Sequence, residues 1–168
     1  MTSLDADSLE LLEDGLRKAM LSASGPELDA ALADLGWADM LSEVPDLAIP
    51  LVFRLLGETG SHASVLNDVL LETIGAEPGG TPPMPYTGGN WVVWSRTPVD
   101  HPTLGGLPLH IVPDGELMRM GEARKAVGWW LVGSARAMLA LARQHALDRV
   151  QFGKPIASFQ AVRHRLAE

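Results

Sequence analysis

The side chains that most often do chemistry are spread through this sequence without the spacing of a familiar catalytic or metal site. No two histidines have the His-x-x-x-His spacing and none stands beside a glutamate, so a metal site is not predicted. The sequence has no cysteine, which excludes a thiolate nucleophile and cysteine-ligated metal clusters. The Gly-x-Ser-x-Gly elbow, the phosphate loop and the Gly-x-Gly-x-x-Gly signature are absent. Surface or capping roles are the better interpretation of the five histidines: His62, His101, His110, His145 and His164.

Charge, in contrast, is strongly segregated along the chain. The formal net charge is −8, but residues 1–60 sum to −9 and residues 121–168 sum to +5. The C-terminal part is therefore the one suited to an anionic ligand. A solvated basic helix face explains the same charges equally well. The overall negative charge disfavours a protein that follows the phosphates of a nucleic acid.

Residues 1–77 carry the hydrophobic spacing of a small helical bundle. Helices are predicted over Asp5–Ser24, Pro26–Leu35, Leu47–Leu56 and Ala63–Ile74, with a short turn and helix at Trp37–Leu41 between the second and the third. Pro45 is expected to interrupt the pattern, and Pro50 to lie in the first turn of the helix that follows. The fourth helix is expected to stop at Gly75.

Residues 78–116 contain eight of the twelve prolines and three Gly-Gly pairs, a density that no useful helix survives. Two short strands are predicted, over Asn90–Arg96 and Leu107–Val112. Pro108 assigns the second strand to a sheet edge, because proline cannot donate a ladder hydrogen bond. The fold class predicted is mainly α, with helical bundle parts on either side of a short β-containing insert.

Residues 117–168 are helical again. A long alanine-rich helix is predicted from Leu117 to about Val150, followed by a Gly-Lys-Pro break and a last helix from Ser158 to Glu168 that looks cut in mid-helix. The long helix is apolar around most of its circumference, and only one further helix follows it. It is therefore expected to be incompletely covered within the monomer. Four of its residues are expected to contact another chain: Leu131, Val132, Met138 and Leu139.

The composition is that of an ordinary globular protein of 168 residues, with 46% apolar and 20% charged residues. No apolar run approaches the ~20 residues that cross a bilayer. The N-terminal stretch is acidic, whereas a signal peptide has a basic start and an apolar centre. A cytoplasmic protein without a membrane span is expected.

One stretch carries a specific resemblance. The run DRVQFGKPIASFQAVRHRLAE at residues 148–168 strongly resembles the C-terminal helical domain of the acyl-CoA dehydrogenase family, which carries Arg-x-Gln-Phe-Gly-(Lys/Arg)-Pro-Ile, then Phe-Gln, then His-x-Leu-Ala. Twelve residues match as they stand: Arg149, Gln151, Phe152, Gly153, Lys154, Pro155, Ile156, Phe159, Gln160, His164, Leu166 and Ala167. Upstream, LADLGW at residues 32–37 and FRLLGETG at residues 53–60 more weakly resemble the family's N-terminal helical domain.

The resemblance implies an enzyme that binds FAD between subunits and oxidises an acyl-CoA thioester to its trans-2-enoyl product. It assigns cofactor binding to five residues, reaching the FAD of a partner subunit: Arg149, Gln151, Phe152, Phe159 and Gln160. These residue types suit the role. The planar guanidinium of an arginine can bind a diphosphate with two hydrogen bonds, and an amide side chain can hydrogen-bond the ADP part. Without the resemblance, Arg149 would be interpreted as a helix C-terminal cation that interacts with the helix dipole.

Arg124 falls where the family has an arginine at the start of the long helix, beside the acyl-CoA cavity. The family's usual catalytic glutamate lies beyond the position of Glu168. In some members the base precedes the arginine that corresponds to Arg124, but that position is Ala123 here. Glu122 is a weak candidate for the base, because it is one residue off and rotated by about 100° around a helix.

The family's middle β domain is about three times longer than the insert, and its Thr-Glu-Pro and Trp-Ile-Thr strands have no counterpart here. Three domains are expected: an abbreviated N-terminal helical domain at 1–77, a remnant of the middle domain at 78–116, and the start of the C-terminal helical domain at 117–168. The isolated chain is expected not to turn over acyl-CoA, and to be a fragment or a subunit that completes a partner's active site.

The function predicted is that of an FAD-dependent acyl-CoA dehydrogenase subunit in lipid metabolism. The partners implied are an acyl-CoA substrate, a second acyl-CoA dehydrogenase subunit in a homo- or hetero-oligomer, and an electron-transfer acceptor. The alternative is a non-catalytic helical assembly subunit of a dehydrogenase complex that no longer binds flavin. A free-standing helical binding module would require the C-terminal match to be coincidence.

Overall fold

A computed structural model describes residues 6–97, 107–116 and 118–167 of the chain. These residues form a mainly α structure, as predicted, with seven helices and a small sheet. The N-terminal half contains five of the helices: α1 (Ala6–Ser22), α2 (Pro26–Asp34), α3 (Trp37–Glu43), α4 (Pro45–Thr59) and α5 (Val65–Glu72). The helices predicted from hydrophobic spacing are confirmed, and the segment expected as a short turn and helix is α3.

Of the two expectations for the prolines of α4, the one for Pro50 is wrong. Pro45 does interrupt the helical pattern, since α3 ends at Glu43 and Pro45 is the first residue of α4, where the N–H that proline lacks has no intrahelical partner to lose. Pro50 lies inside the helix, five residues further on, at the cost of one intrahelical hydrogen bond. The helix tolerates it because α4 is the centre of the core: Val52, Phe53 and Leu56 are fully buried.

The C-terminal half is built on one long helix. It comprises α6 (Gly121–Asp148), a hairpin of β4 (Val150–Gln151) and β5 (Lys154–Pro155), a 3-10 turn at Ile156–Ser158, and α7 (Gln160–Ala167). The long helix begins four residues later than predicted, and the last helix two residues later. The most extensive contact between helices is that of α4 with α6.

Two glycines allow α4 and α6 to cross at backbone distance. A Cβ placed on Gly57 would lie 2.6 Å from the backbone nitrogen of Ser134, and a Cβ placed on Gly133 would overlap the carbonyl oxygen of Arg54. Such separations are far below a van der Waals contact, and main-chain atoms cannot rotate away. The crossing therefore requires glycine at both positions.

A ring of four half-buried charges joins α1 to α4. Arg17 bonds Glu13 at 3.0 Å and Glu58 at 2.8 Å, while Arg54 bonds Glu13 at 3.0 Å and Glu58 at 2.9 Å. Each carboxylate thus faces two guanidinium groups. Arg136 of α6 also lies 3.4 Å from Glu58, so the network reaches the third helix of the core.

This ring predicts a loss of stability in acid. Burial, the largest single influence, raises the pKa of Glu13, but the hydrogen bonds and charges of Arg54 and Arg17 together outweigh it and hold the pKa below its ordinary value of 4.5. The same balance lowers the pKa of Glu58. A carboxylate with a depressed folded-state pKa stabilises the fold fully above about pH 4.5, and that contribution is lost as the pH falls through the folded value.

We expect the free energy of unfolding in urea to fall between about pH 5 and pH 3, and to fall less steeply in the Glu13→Gln/Glu58→Gln double variant. The double variant should also be less stable at neutral pH, since it leaves two arginines without their partners. Glu10→Gln, on the same helix but outside the ring, is the control. Parallel pH profiles for the wild type and the double variant would contradict the prediction.

The sheet has three antiparallel strands in the order β1 (Met84–Pro85), β2 (Trp91–Trp94), β3 (Leu109–Val112). The two predicted strands are confirmed, and β3 lies at an edge as expected. Strand β1 was not predicted, because its two residues stand among prolines and carry no alternation. Val92, Trp94 and Leu109 are buried and bring one face of the sheet into the core.

Polar side chains of α5 fasten this sheet to the helices. The Asn67 Nδ2 donates to the carbonyl of Trp94 at 2.9 Å. Asp68 accepts from the indole nitrogen of Trp37 at 3.0 Å and is ion-paired with Arg96, which follows β2. These bonds are buried or half-buried, so they fix the end of β2 against the helical core.

Candidate functional site

A largely apolar cavity of about 380 Å³ lies between the sheet, α5 and the first half of α6. Its described lining is Leu66, Met84, Pro85, Val92, Trp94, Leu109, Met120, Ala123, Arg124, Val127, Gly128 and Leu131. Arg124 is the one charged residue of this lining. An apolar pocket with few polar groups is typical of a small-molecule site, since burial supplies affinity and the polar group fixes orientation.

Arg124 lies in the first turn of α6, where its backbone nitrogen donates to the carbonyl of Met120 at 2.9 Å. Its side chain is exposed, and within the described ranges its guanidinium has no ion-pair or hydrogen-bond partner. The cation is therefore free to bind an anionic or carbonyl group of a ligand in the cavity. Sequence reasoning named this residue; its role in substrate binding stays a prediction.

The structure does not bring Glu122 to the same cavity. Its carboxylate lies 3.3 Å from Lys125, and the residue lines a separate pocket with Asp46 and Ile49. Lys125 also bonds Asp46 at 2.8 Å, and this hydrogen bond, the largest influence, raises the pKa of Lys125. Ala123 does line the cavity and is buried. The described lining therefore contains no carboxylate, and Glu122 as the base stays a prediction.

A second surface feature is the hairpin that follows α6. Its turn consists of Phe152 and Gly153, with φ of 52° and 78°. Two successive positive φ values are the requirement of a type I′ turn. Glycine adopts them freely, but a left-handed conformation costs a bulky residue about 1–2 kcal/mol. Phe152 nevertheless occupies the position and is 92% exposed.

The ring of Phe152 is held by its neighbours in the hairpin and not by the core. It meets Phe159 edge to face, with ring centroids 6.2 Å apart. The Nζ of Lys154 lies 4.6 Å from the centre of the Phe159 ring. The carbonyl of Arg149 accepts a hydrogen bond from the Ile156 nitrogen at 2.8 Å, which closes the hairpin. The turn thus presents an oriented aromatic face to solvent.

The other residues predicted to bind the cofactor surround this turn. Arg149 is the C-terminal cap of α6, Gln151 is in β4 and Gln160 is the first residue of α7. All three are exposed. No ion pair or side-chain hydrogen bond of Arg149 is formed within the part of the chain that the structure describes. Cofactor binding by these residues stays a prediction.

The two sets of predicted residues lie at opposite ends of α6. Arg124 and Arg149 are twenty-five residues apart, about 37 Å at the rise of 1.5 Å per residue. The hairpin of a chain is therefore too distant from that chain's own cavity to bind the reacting end of a ligand held there. The arrangement suits a site that is completed by a second chain.

Sequence reasoning missed most of the cavity wall. Trp94 of β2 stacks on Trp130 of α6, with centroids 5.7 Å apart, and Trp130 in turn meets Phe53 of α4 edge to face. This contact between sheet and helix has no local sequence signal, since its members are 36 residues apart.

The expected incomplete coverage of α6 is confirmed by the exposure of Leu131, at 66%, and Met138, at 63%. Their contact with another chain stays a prediction.

Among the described residues, no helix is long and apolar enough to cross a membrane. Within the same ranges, no group of three or more histidine, aspartate and glutamate side chains is arranged to hold a metal ion.

Comparison with known proteins finds matches to part of the chain. Residues 117–168 match the family model described as acyl-CoA dehydrogenase, C-terminal domain. Two proteins named acyl-CoA dehydrogenase IpdE2, one from Mycobacterium tuberculosis and one from Mycolicibacterium smegmatis, are each 51% identical to the chain over 37 residues. The aligned segment is 22% of this chain and spans 12% of the length of either relative. The resemblance stated for residues 148–168 is thereby confirmed.

Proposed function

We propose, because the chain is a member of the acyl-CoA dehydrogenase family through residues 117–168, that it is a subunit of an FAD-dependent enzyme that dehydrogenates an acyl-CoA thioester. In this proposal the chain supplies one half of each of two sites. Its cavity receives the acyl group, and its hairpin completes the FAD site of a partner subunit. The observation that carries the proposal is the exposed, left-handed Phe152 within the matched segment, since folding alone gives no reason for it.

The residues of the hairpin fit a flavin dinucleotide. The guanidinium of Arg149, which has no partner among the described residues, can bind a diphosphate with two parallel hydrogen bonds. Phe152 offers an aromatic face to a heteroaromatic ring, and the amides of Gln151 and Gln160 offer both donors and acceptors. When bound, FAD supplies the acceptor for the hydride that leaves the β carbon of the acyl group. The reduced cofactor then requires an electron-transfer acceptor as a further partner.

The cavity suits the acyl part of the substrate. Its apolar walls favour the binding of a hydrocarbon chain. Arg124 holds a positive charge at the cavity, where it attracts the anionic CoA portion and orients the thioester. The absence of cysteine fits a reducing compartment, and we place this activity in the cytoplasm and in lipid metabolism.

The Arg149→Ala variant is expected to retain FAD more weakly by about 1.5–3 kcal/mol, the range for a hydrogen bond to a charged group. That is a 10- to 150-fold rise in the dissociation constant of FAD, by the factor of about ten per 1.4 kcal/mol. Arg149→Lys should recover part of the loss, because it keeps the charge but not the planar fork. The measurement is flavin absorbance retained by the purified oligomer, titrated with free FAD.

Arg143→Ala is the matched control, since it removes the same charge from the same helix outside the hairpin. Equal FAD retention by the wild type and Arg149→Ala would leave only the role of a helix C-terminal cation for Arg149. A colourless wild-type oligomer that takes up no added FAD would favour the alternative, a non-catalytic assembly subunit.

A further inference from the structure

The middle of the cavity's helical wall has no side chain. Residues 124, 128 and 131 follow one another on successive turns of α6, so they share a face of the helix. Arg124 and Leu131 line the cavity at either end of this row, and Gly128 lines it between them. The small side chain of Ala123 borders the row on the same wall. Along this row, the helical wall therefore carries no side chain between Arg124 and Leu131, and the space that this leaves lies beside Gly128.

Contacts with the described residues do not account for glycine at position 128. Glycine inside a helix costs about 1 kcal/mol relative to alanine. At Gly133 the requirement is evident, because a Cβ there would overlap the backbone of α4. A Cβ placed on Gly128 meets no atom of the described residues within 4 Å, and the φ of Gly128 is not positive. The space that a side chain would fill is the cavity itself.

The opposite wall is rigid. It is formed by Val92, Trp94 and Leu109 of the sheet, which are all buried. Trp94 is stacked on Trp130 and its carbonyl is bonded to Asn67, so this wall cannot move inward to close the gap. An unbranched hydrocarbon chain would leave the space beside Gly128 unfilled, and unfilled apolar space forfeits dispersion contacts on both sides.

We propose that Gly128 is a specificity-determining residue that selects acyl groups wider than an unbranched chain in the segment beside Gly128, one helical turn from Arg124. This inference rests on the proposed function, because it takes the cavity to be the acyl site. The group that fills the space beside Gly128 is branched at or near the β carbon. A side chain at position 128 narrows the cavity, so a variant that carries one prefers unbranched acyl groups to branched ones.

The experiment compares two CoA thioesters of six acyl carbons, hexanoyl-CoA and 3,3-dimethylbutanoyl-CoA, by isothermal calorimetry on the purified protein. The second has no hydrogen on its β carbon and cannot be dehydrogenated, so binding is measured without turnover. The wild type is expected to bind the branched thioester more tightly. Gly128→Leu should weaken that binding by about 10- to 200-fold, the range for a misfit in a hydrophobic pocket, and change hexanoyl-CoA binding by less than about threefold.

Gly128→Ala is the milder variant and Gly15→Ala the control, since Gly15 is also inside a helix with open space around a Cβ but does not line this cavity. Both should raise the melting temperature by about 2–4 °C. Only Gly128→Ala should weaken binding of the branched thioester.

Two results would overturn the inference. The first is an equal loss of affinity for both thioesters in folded Gly128→Leu and Gly128→Ala, or no loss of affinity for either. It would show that position 128 does not select the width of the acyl group, and it would leave the proposed function intact. A wild-type protein that binds neither thioester would overturn the proposed function, and this inference with it.

Discussion

Replacement of Gly133 by alanine is expected to destabilise the chain by about 3 kcal/mol, the upper part of the usual range for overpacking. The added methyl group would overlap the carbonyl oxygen of Arg54, a main-chain atom in the middle of α4. Relief therefore requires α4 and α6 to move apart along the most extensive helix contact of the structure. The separation would also expose Phe53 and loosen its contact with Trp130.

Urea unfolding followed by circular dichroism measures this effect. Gly57→Ala should cost a similar amount, because its methyl group would meet the backbone of α6. The double variant should lose less than the sum of the two, since one separation of the helices relieves both overlaps. Gly15→Ala, in open space on α1, should instead gain a few tenths to about 1 kcal/mol. Wild-type stability of Gly133→Ala would rule out this helix crossing.

The isolated chain is expected to turn over acyl-CoA at least about 100-fold more slowly than an assembly with a subunit that supplies a carboxylate. Proton abstraction at the α carbon needs a base within about 3 Å, and general-base catalysis contributes on the order of 100- to 10,000-fold. Ala123 stands at the cavity where a base would be useful, and Glu122 lines another pocket, paired with Lys125. The described cavity lining offers no other carboxylate.

The test supplies saturating FAD, several acyl-CoA substrates and an artificial electron acceptor to the chain, with and without a candidate partner subunit. Turnover that depends on the partner and on a glutamate of the partner is the expected result. Glu122→Gln should leave that rate unchanged. Robust turnover by the chain alone that disappears in Glu122→Gln would make Glu122 the base and refute the requirement for a partner.

Local patterns in the sequence account for most of the helices but not for the cavity. The spacing of leucine and valine predicts α1, α2, α4 and α5 because one face of each helix must be buried. Pro50 is the misleading residue at α4, since it lies beyond the first turn and the core contacts around Val52 and Phe53 outweigh its cost. A local pattern shows only where proline disfavours a helix. Whether the helix forms there nevertheless depends on how much apolar surface its other residues bury in the folded chain.

The cavity combines residues from four segments that are distant in the sequence, from Leu66 to Leu131. No helical or strand periodicity relates Met84, in the unpredicted β1, to Gly128 of α6. Only the folded chain shows that the two residues line the same cavity. The resemblance over residues 148–168 assigned cofactor binding to residues of the hairpin, which stays a prediction, but it gave no indication of the left-handed turn. Gly153 indicates a turn by its type, while Phe152 is among the residues least expected at positive φ.

The turn at Phe152 has a consequence for the kinetics of assembly. Its conformational cost is met when the chain folds, so an incoming ligand meets an aromatic ring that already contacts Phe159, and the Phe159 ring is in turn contacted by Lys154. Preorganisation of this kind removes the ordering step from association. In the proposed shared site, the rate at which a partner subunit captures the hairpin would be set by encounter and orientation, typically about 10⁵–10⁷ M⁻¹ s⁻¹, and the lifetime of the complex by dissociation. Subunit exchange, and not loop ordering, would therefore control how quickly a shared site forms and is lost.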